Sequence, residues 1–388
     1  MFSTRVPDDR QPNRFTRALA RARQHGGLLD LTVSNPTRVG LPYPPDLLAE
    51  LASPAGLDYA PAPLGLRAAR DAVAAEYGRR GITVDPDRIV LTASTSEAYS
   101  LLFKLLCEPR GASVLTPVPS YPLFEHLTRL DGVEQRRYAL EYHGSWTIDR
   151  GDLDAAWSTT TRAVLAVTPN NPTGALVTSA DADELVARCR DRQASLIVDE
   201  VFCDYPIGAA APDPPALSSN DCLLFRLGGL SKTIGLPQLK LGWIAVQGPE
   251  AQVAEAMDRL ELICDTYLSV GTPVQIAAPG LLSSGAVIRE SILARVRENH
   301  ALLHNSLTTS SGAAILPVDG GWSAVIRVPA IRSEDAIVLD LLDRDGVVVH
   351  PGYFFDFPHE AFLVVSLLPE PSVFTRGLRA IEARIDGA

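Results

Sequence analysis

Short apolar runs alternate with longer stretches of helical spacing over most of the chain. Residues 88–92, 113–116, 163–167 and 195–199 each read as a buried strand, because runs of consecutive apolar and β-branched residues leave no face for water. Helix-like stretches separate them, a pattern that predicts a mainly parallel sheet with helices on both faces. In such sheets ligands sit beyond the carboxyl ends of the strands. The residues just after each apolar run are therefore where chemistry is expected. From about Pro273 the pattern changes: residues 287–296 have helical periodicity, and residues 323–328 and 362–366 read as further strands of a smaller unit. Proline-rich punctuation at residues 41–45 closes an N-terminal segment, and residues 211–215 read as a surface loop. The predicted fold is α/β, with a large domain over residues 45–272. A smaller α+β domain is expected from residues 1–44 and 273–388, with the N-terminal arm packed on it.

At 388 residues the chain exceeds what one core usually supports, which agrees with two domains. The net charge of −11, without a cluster of lysine and arginine, argues against a nucleic-acid partner. The five cysteines, Cys107, Cys189, Cys203, Cys222 and Cys264, are widely spaced and contain no Cys-x-x-Cys pair, as expected of free thiols in a reducing compartment. The first residues lack the apolar stretch of a secretory signal, and no apolar run approaches bilayer length. A cytoplasmic protein without membrane contact is expected. His300 and His304 lie four apart without the glutamate of a His-Glu-x-x-His frame, so no metal site is predicted. No Gly-x-Gly-x-x-Gly fingerprint follows a strand, which argues against a nicotinamide enzyme.

Four segments carry candidate chemistry. In Gly228-Gly229-Leu230-Ser231-Lys232, a lysine lies in an apolar, glycine-bounded setting where desolvation would free its amine; taken alone, it reads as a solvated loop lysine, since most lysines are exposed and unreactive. Thr168-Pro169-Asn170-Asn171-Pro172-Thr173-Gly174 follows a strand and reads as a turn. Asp199 ends a strand, where it either caps the next helix or faces a ligand. Thr92-Ala93-Ser94-Thr95-Ser96-Glu97 joins a strand to a helix, a position that suits both an N-cap and a phosphate.

Together these segments resemble the fold-type I pyridoxal-phosphate-dependent aminotransferases of class I/II. The resemblance spans nearly the whole chain. It implies that Lys232 carries pyridoxal 5'-phosphate as a Schiff base and shuttles the proton. It further implies that Asp199 pairs with the pyridinium nitrogen, that Asn171 donates to the phenolic oxygen, and that Thr95, Ser96, Ser231 and Lys240 hold the phosphate. Tyr121, in Pro119-Ser120-Tyr121-Pro122, matches the ring that stacks on the pyridine. Tyr59 matches a residue reaching the phosphate from a neighbouring subunit, which implies a homodimer. The expected partners are a small-molecule amino donor and a keto acceptor.

The departures are specific. Gly229 replaces the first serine of the lysine motif, and Ser94 stands for the usual glycine before the phosphate helix. Lys240, eight residues after Lys232, replaces an arginine and offers a point charge without the bidentate fork. Phe202 stands where a tyrosine commonly follows Asp199. Val364 stands where an arginine usually clamps the substrate carboxylate. Arg38, in a segment that lines the substrate pocket in the family, is the candidate replacement, and it reads equally as a solvated loop arginine. The same cofactor would also serve a lyase, a decarboxylase or a cyclising synthase. A non-catalytic cofactor-binding regulator is disfavoured by the acidic charge and by the short arm preceding the fold.

Overall fold

In the computed structural model, residues 2–8, 11–208, 220–307 and 312–386 are described; the loop expected at 211–215 lies outside them. Eight strands form one sheet in the spatial order Ile89–Thr92, Gly242–Gln247, Leu224–Gly229, Ser195–Asp199, Thr161–Val167, Ser113–Val118, Glu134–Tyr142 and Trp146–Ile148. From Leu224–Gly229 to Glu134–Tyr142 every pairing is parallel. The continuous apolar runs explain this, because strands such as Ser195–Asp199 are buried along their whole length. One finding goes beyond the alternation pattern. Gly242–Gln247 runs antiparallel between two strands of the opposite direction, and Trp146–Ile148 closes the far edge antiparallel.

The strand Ser113–Val118 is flanked by Glu134–Tyr142 on one side and Thr161–Val167 on the other, so chain order reverses there. Such a switch point opens a crevice at the carboxyl ends of the strands.

A second sheet orders Ala314–Ile315, Ser323–Arg327, Phe362–Ser366 and His350–Pro351, all antiparallel. The helix expected at 287–296 belongs to a longer one, Ala286–Leu307, which the helix Thr272–Ser284 precedes. The N-terminal segment packs on this second unit. Leu29–Asp30 pairs in parallel with Val347–Val348, the Phe15 ring meets Phe354 edge to face, and Ser366 Oγ donates to the carbonyl of Val33 at 2.6 Å. One apolar cluster runs through both units, from Leu91 and Trp243 to Ile292, Leu363 and Phe374. The crevice therefore has a continuously packed floor.

The turn after Thr161–Val167 shows how tightly the crevice is built. Asn170, buried, donates to Pro119 O at 3.0 Å and to Thr173 Oγ1 at 2.9 Å, and accepts from Ser120 Oγ at 2.9 Å. Gly174 sits at φ +70°, where a Cβ would lie 2.5 Å from Val318 Cγ1 and 2.7 Å from Gly320 O. Left-handed strain and overpacking then act together. Gly174→Ala is expected to cost about 2–4 kcal/mol, read as a fall in the denaturant midpoint. A loss below about 1 kcal/mol would show that the turn yields easily.

Candidate active site

Five separate strand ends deliver side chains to one cavity of about 710 Å³ at the switch point. Ser94, Thr95 and Ser96 follow Ile89–Thr92; Tyr121 follows Ser113–Val118; Asn171 follows Thr161–Val167; Asp199 ends Ser195–Asp199; and Ser231 with Lys232 follows Leu224–Gly229. The second unit closes the opposite wall with Trp322, Ser323, His350, Phe355 and Val364. Its volume lies within the range of sites that enclose a small molecule.

Lys232 lies on the short helix Leu230–Thr233, which begins directly after two glycines. Gly228 is required there because a Cβ would fall 2.5 Å from the Trp243 indole nitrogen. The Lys232 amine lies 4.7 Å from the centre of the Trp322 ring and 5.5 Å from that of Phe202. Burial lowers its pKa to about 8, against a partial rise from Asp199. Part of the population is then an unprotonated amine at neutral pH, the form that attacks a carbonyl. Tyr205 donates its hydroxyl to the Lys232 carbonyl, so it fixes the lysine backbone rather than the amine.

Asp199 is held in the opposite state of need. Burial raises its pKa to about 6, although the Val201 N–H and the Tyr99 hydroxyl, at 3.1 and 2.8 Å, both favour the carboxylate. The neighbouring Glu200 points to the other face of the strand, where Arg226 and Arg80 neutralise it. No arginine or lysine forms an ion pair with Asp199 among the described residues. A buried carboxylate held by neutral donors fits a protonated ring nitrogen.

The helix Thr95–Leu106 starts at the cavity. Ser94 caps it by accepting the Glu97 N–H at 3.1 Å, and Glu97 accepts the Ala93 N–H at 2.6 Å. Both the capping expectation and the placement at the cavity are therefore met. Thr95, Ser96, Ser231 and Lys240 line the cavity at which this helix begins, and the free N–H groups of a helix's first turn suit an anion. Lys240 itself has left-handed backbone, φ +53°, at the end of the turn Pro237–Leu239.

Asn171 reaches the cavity because Asn170 takes the structural role in the turn; Ser323 Oγ donates to Asn171 Oδ1 at 3.4 Å. Tyr121 lines the mouth, 39% exposed and edge-on to Phe124. Two expected residues are not brought in. Tyr59 is 80% exposed beside Tyr267 and Leu268, away from the cavity of its own chain. Arg38 is exposed and does not line the cavity. Asn35 Oδ1 accepts both the Thr37 N–H and its hydroxyl, which curls Pro36–Arg38 into a 3-10 turn; the segment enters the cavity through Thr32 and Ser34 instead. Val364, where the arginine was expected, does line it.

Sequence reasoning missed Tyr99, Trp322, Ser323 and His350. Tyr99 alone left a signal, lying three residues beyond Ser96 on the same helical face. Trp322 Nε1 and His350 Nδ1 are buried without a hydrogen-bond partner among the described residues.

Comparison with known proteins agrees with this geometry. The family described as "Aminotransferase class I and II" matches residues 46–381. The glutamate-pyruvate aminotransferase of Haemophilus influenzae is 25% identical over 350 residues, 88% of this chain and 86% of that protein. The alanine aminotransferase of Mycobacterium bovis is 27% identical over 352 residues, 88% of this chain and 82% of that protein. Among solved structures, the alanine aminotransferase from Pyrococcus furiosus superposes with a TM-score of 0.89, at 22% identity and over 100% of both chains.

The fold and the crevice define a fold-type I enzyme of the transferase class. The chain belongs to the class I and II aminotransferases. It depends on pyridoxal 5'-phosphate and transfers an amino group between amino and keto substrates, which sets aside the lyase, decarboxylase and synthase alternatives. Among the described residues no single helix is long and apolar enough to cross a membrane, and no group of three or more metal-ligating side chains occurs.

Proposed function

We propose that the enzyme moves an amino group between a small α-amino acid and an α-keto acid, with Lys232 as the covalent anchor and proton carrier. The carrying observation is a buried lysine amine of lowered pKa in one cavity with a buried, unpaired carboxylate. Pyridoxal phosphate supplies an aldehyde and an electron-withdrawing ring that acidifies the carbon bearing the amino group. Asp199 would pair with the ring nitrogen and favour its protonated form. Tyr99 and the Val201 N–H keep that carboxylate ionised and oriented. Asn171 would donate to the cofactor's phenolic oxygen, and Tyr121 would cover one face of its ring. Lys232 Nζ would carry the proton between the substrate carbon and the cofactor carbon. The packing of Phe202 and Trp322 beside it excludes water from that transfer.

Thr95, Ser96, Ser231 and Lys240 would hold the phosphate. Lys240→Gly removes the ammonium while suiting the backbone φ of 53°. The variant is expected to bind the cofactor about 10- to 100-fold more weakly in a fluorescence titration; unchanged affinity would take Lys240 out of the site.

The relatives named for alanine and glutamate-pyruvate favour L-alanine and L-glutamate as the first donors to try. Each is mixed with the holoenzyme and the loss of cofactor absorbance is followed, with pyruvate added to reverse it. A holoenzyme that no amino acid alters would overturn the substrate assignment.

Two copies of the chain complete the site in this reading, with Tyr59 lent across the interface. Leu57, Tyr59 and Tyr267 are 87, 80 and 58% exposed, a surface that suits cover by a second copy. The proposed location is the cytoplasm, in keeping with five cysteines that form no disulfide, four of them buried. Residues 45–272 act as the large domain, and residues 1–44 with 273–388 as the small one.

A further inference from the structure

The two walls of the cavity differ in kind. The charged groups along its described lining, Asp199, Lys232 and Lys240, all stand on the side of the large sheet. On the functional reading above, the cofactor takes up all of them. A substrate side chain directed away from the cofactor then meets the second unit, where the groups are neutral.

Register sets that wall. Ser323 is directly opposed to Ser366, and Val364 to both Val325 and His350. Opposed residues, and residues two apart along a strand, share one face of an antiparallel sheet; of this face, Ser323, Val364 and Ser366 line the cavity. The Ser366 hydroxyl is spent on the Val33 carbonyl, and that of Thr32, also in the lining, on Asp30 at 2.5 Å. Burial lowers the pKa of His350, which leaves its imidazole neutral at physiological pH.

Aromatic rings complete the wall. Trp322 faces the lysine amine and is braced edge-on by Phe202 and Tyr205, at 5.4 and 5.1 Å. Phe354 and Phe355 are carried by the 3-10 turn Gly352–Phe355. The buried Glu334 carboxylate clamps that turn by accepting the N–H groups of Tyr353, Ala361 and Phe362 at 3.1, 2.9 and 2.7 Å. From the large-sheet side, the Ser120 N–H donates to the Phe355 carbonyl at 3.1 Å. A wall held at both ends in this way is preorganised. A carboxylate pressed against it loses its water and gains no cation, whereas methyl and methylene groups gain by leaving water.

We propose that this wall selects the side chain of the amino acid: it admits an uncharged, apolar one and rejects a second carboxylate. The rule applies to donor and keto acceptor alike, since both enter the one cavity. The inference rests on the aminotransferase reading. Of the two donors put forward above, it selects L-alanine over L-glutamate.

L-Leucine and L-aspartate test it on the holoenzyme. Their side chains branch at the same carbon and have nearly the same shape, one apolar and the other ionised, while the α-carboxylate is common to both. The ratio of maximal rate to half-saturating concentration is expected to be at least about 100-fold higher for L-leucine. A preference below about 10-fold, or L-aspartate ahead, would overturn the proposal. Phe354→Lys places a cation in the wall at a half-buried position, where the lysine stem can still pack on Phe15. It should narrow the preference for L-leucine about 10-fold or more; an unchanged preference, in a variant that still converts L-leucine, would show that the wall does not read the side chain. Calorimetry with isocaproate and succinate, the same two acids without their amino groups, reads the wall without turnover, and isocaproate should bind at least about 10-fold more tightly. That preference in a protein that no amino acid alters counts against the functional reading alone. Amino acids that do react, with L-aspartate level with L-leucine, count against the wall alone.

Discussion

Replacement of Lys232 by alanine is expected to lower amino-group transfer by at least about 10³-fold, more than about 4 kcal/mol of barrier. Two proposed functions would be lost together, the amine that anchors the cofactor and the base that moves the proton, so no neighbouring side chain would compensate. The chain offers an unusually clean test, because it contains only three lysines, Lys104, Lys232 and Lys240. Lys104 is paired with Asp131 at 2.5 Å and bonded to Ser100, away from the cavity, and Lys240 faces the proposed phosphate corner. Borohydride reduction of the holoenzyme followed by peptide mapping should label residue 232 and neither of the others. Label on Lys240, or a Lys232→Ala enzyme that keeps a tenth of its activity, would sink the assignment. The variant should still bind the cofactor, since the proposed phosphate contacts and Asp199 are untouched.

The half of the site on the large sheet was legible because it depends on local signals. A continuous apolar run marks a strand buried on both faces, and the residue ending that run lies at the crevice whatever the rest of the fold does. Asp199 and Asn171 were found in this way, Lys232 from its apolar, glycine-bounded setting, and all three line the cavity. The resemblance then supplied their roles. The rest of the opposite wall was illegible for a physical reason: His350 and Ser323 reach it only through the register of two antiparallel pairings, His350 with Val364 and Ser323 with Ser366. Periodicity says which face of a strand is apolar, not which strand it will lie against. Arg38 failed for a related reason. Its segment does reach the cavity through Thr32 and Ser34, but an asparagine-capped turn two residues later carries the arginine outward. The antiparallel strand Gly242–Gln247 hid in the same way, since a buried run reads alike in either direction.

Asp199→Asn separates catalysis from stability, and the two should move in opposite directions. Activity is expected to fall about 10²- to 10³-fold, because a neutral amide no longer favours the protonated ring nitrogen. The cofactor-free protein should become more stable. An Asp with a folded pKa of about 6 holds a proton that the unfolded chain releases near its ordinary value, so stability drops as pH climbs from about 4 to 6, and the full penalty persists above that. Lys232 acts in the mirror sense. Its folded pKa of about 8 leaves the penalty fully present below pH 8, relieved only as pH rises toward the ordinary lysine value. Near neutrality, therefore, the empty site carries both costs. Asn at 199 removes the first, while Tyr99 reverses its hydroxyl to accept from the amide. Part of the gain is returned, since the carboxylate also eases the charge on Lys232. The net gain expected at pH 7.5 is about 1–3 kcal/mol, shrinking toward zero near pH 4. Thermal melts of cofactor-free wild type and variant at both pH values read this directly. A variant that loses activity and stability together at pH 7.5 would mean that Asp199 is a structural residue. One that keeps wild-type activity would mean that the ring nitrogen does not depend on its charge.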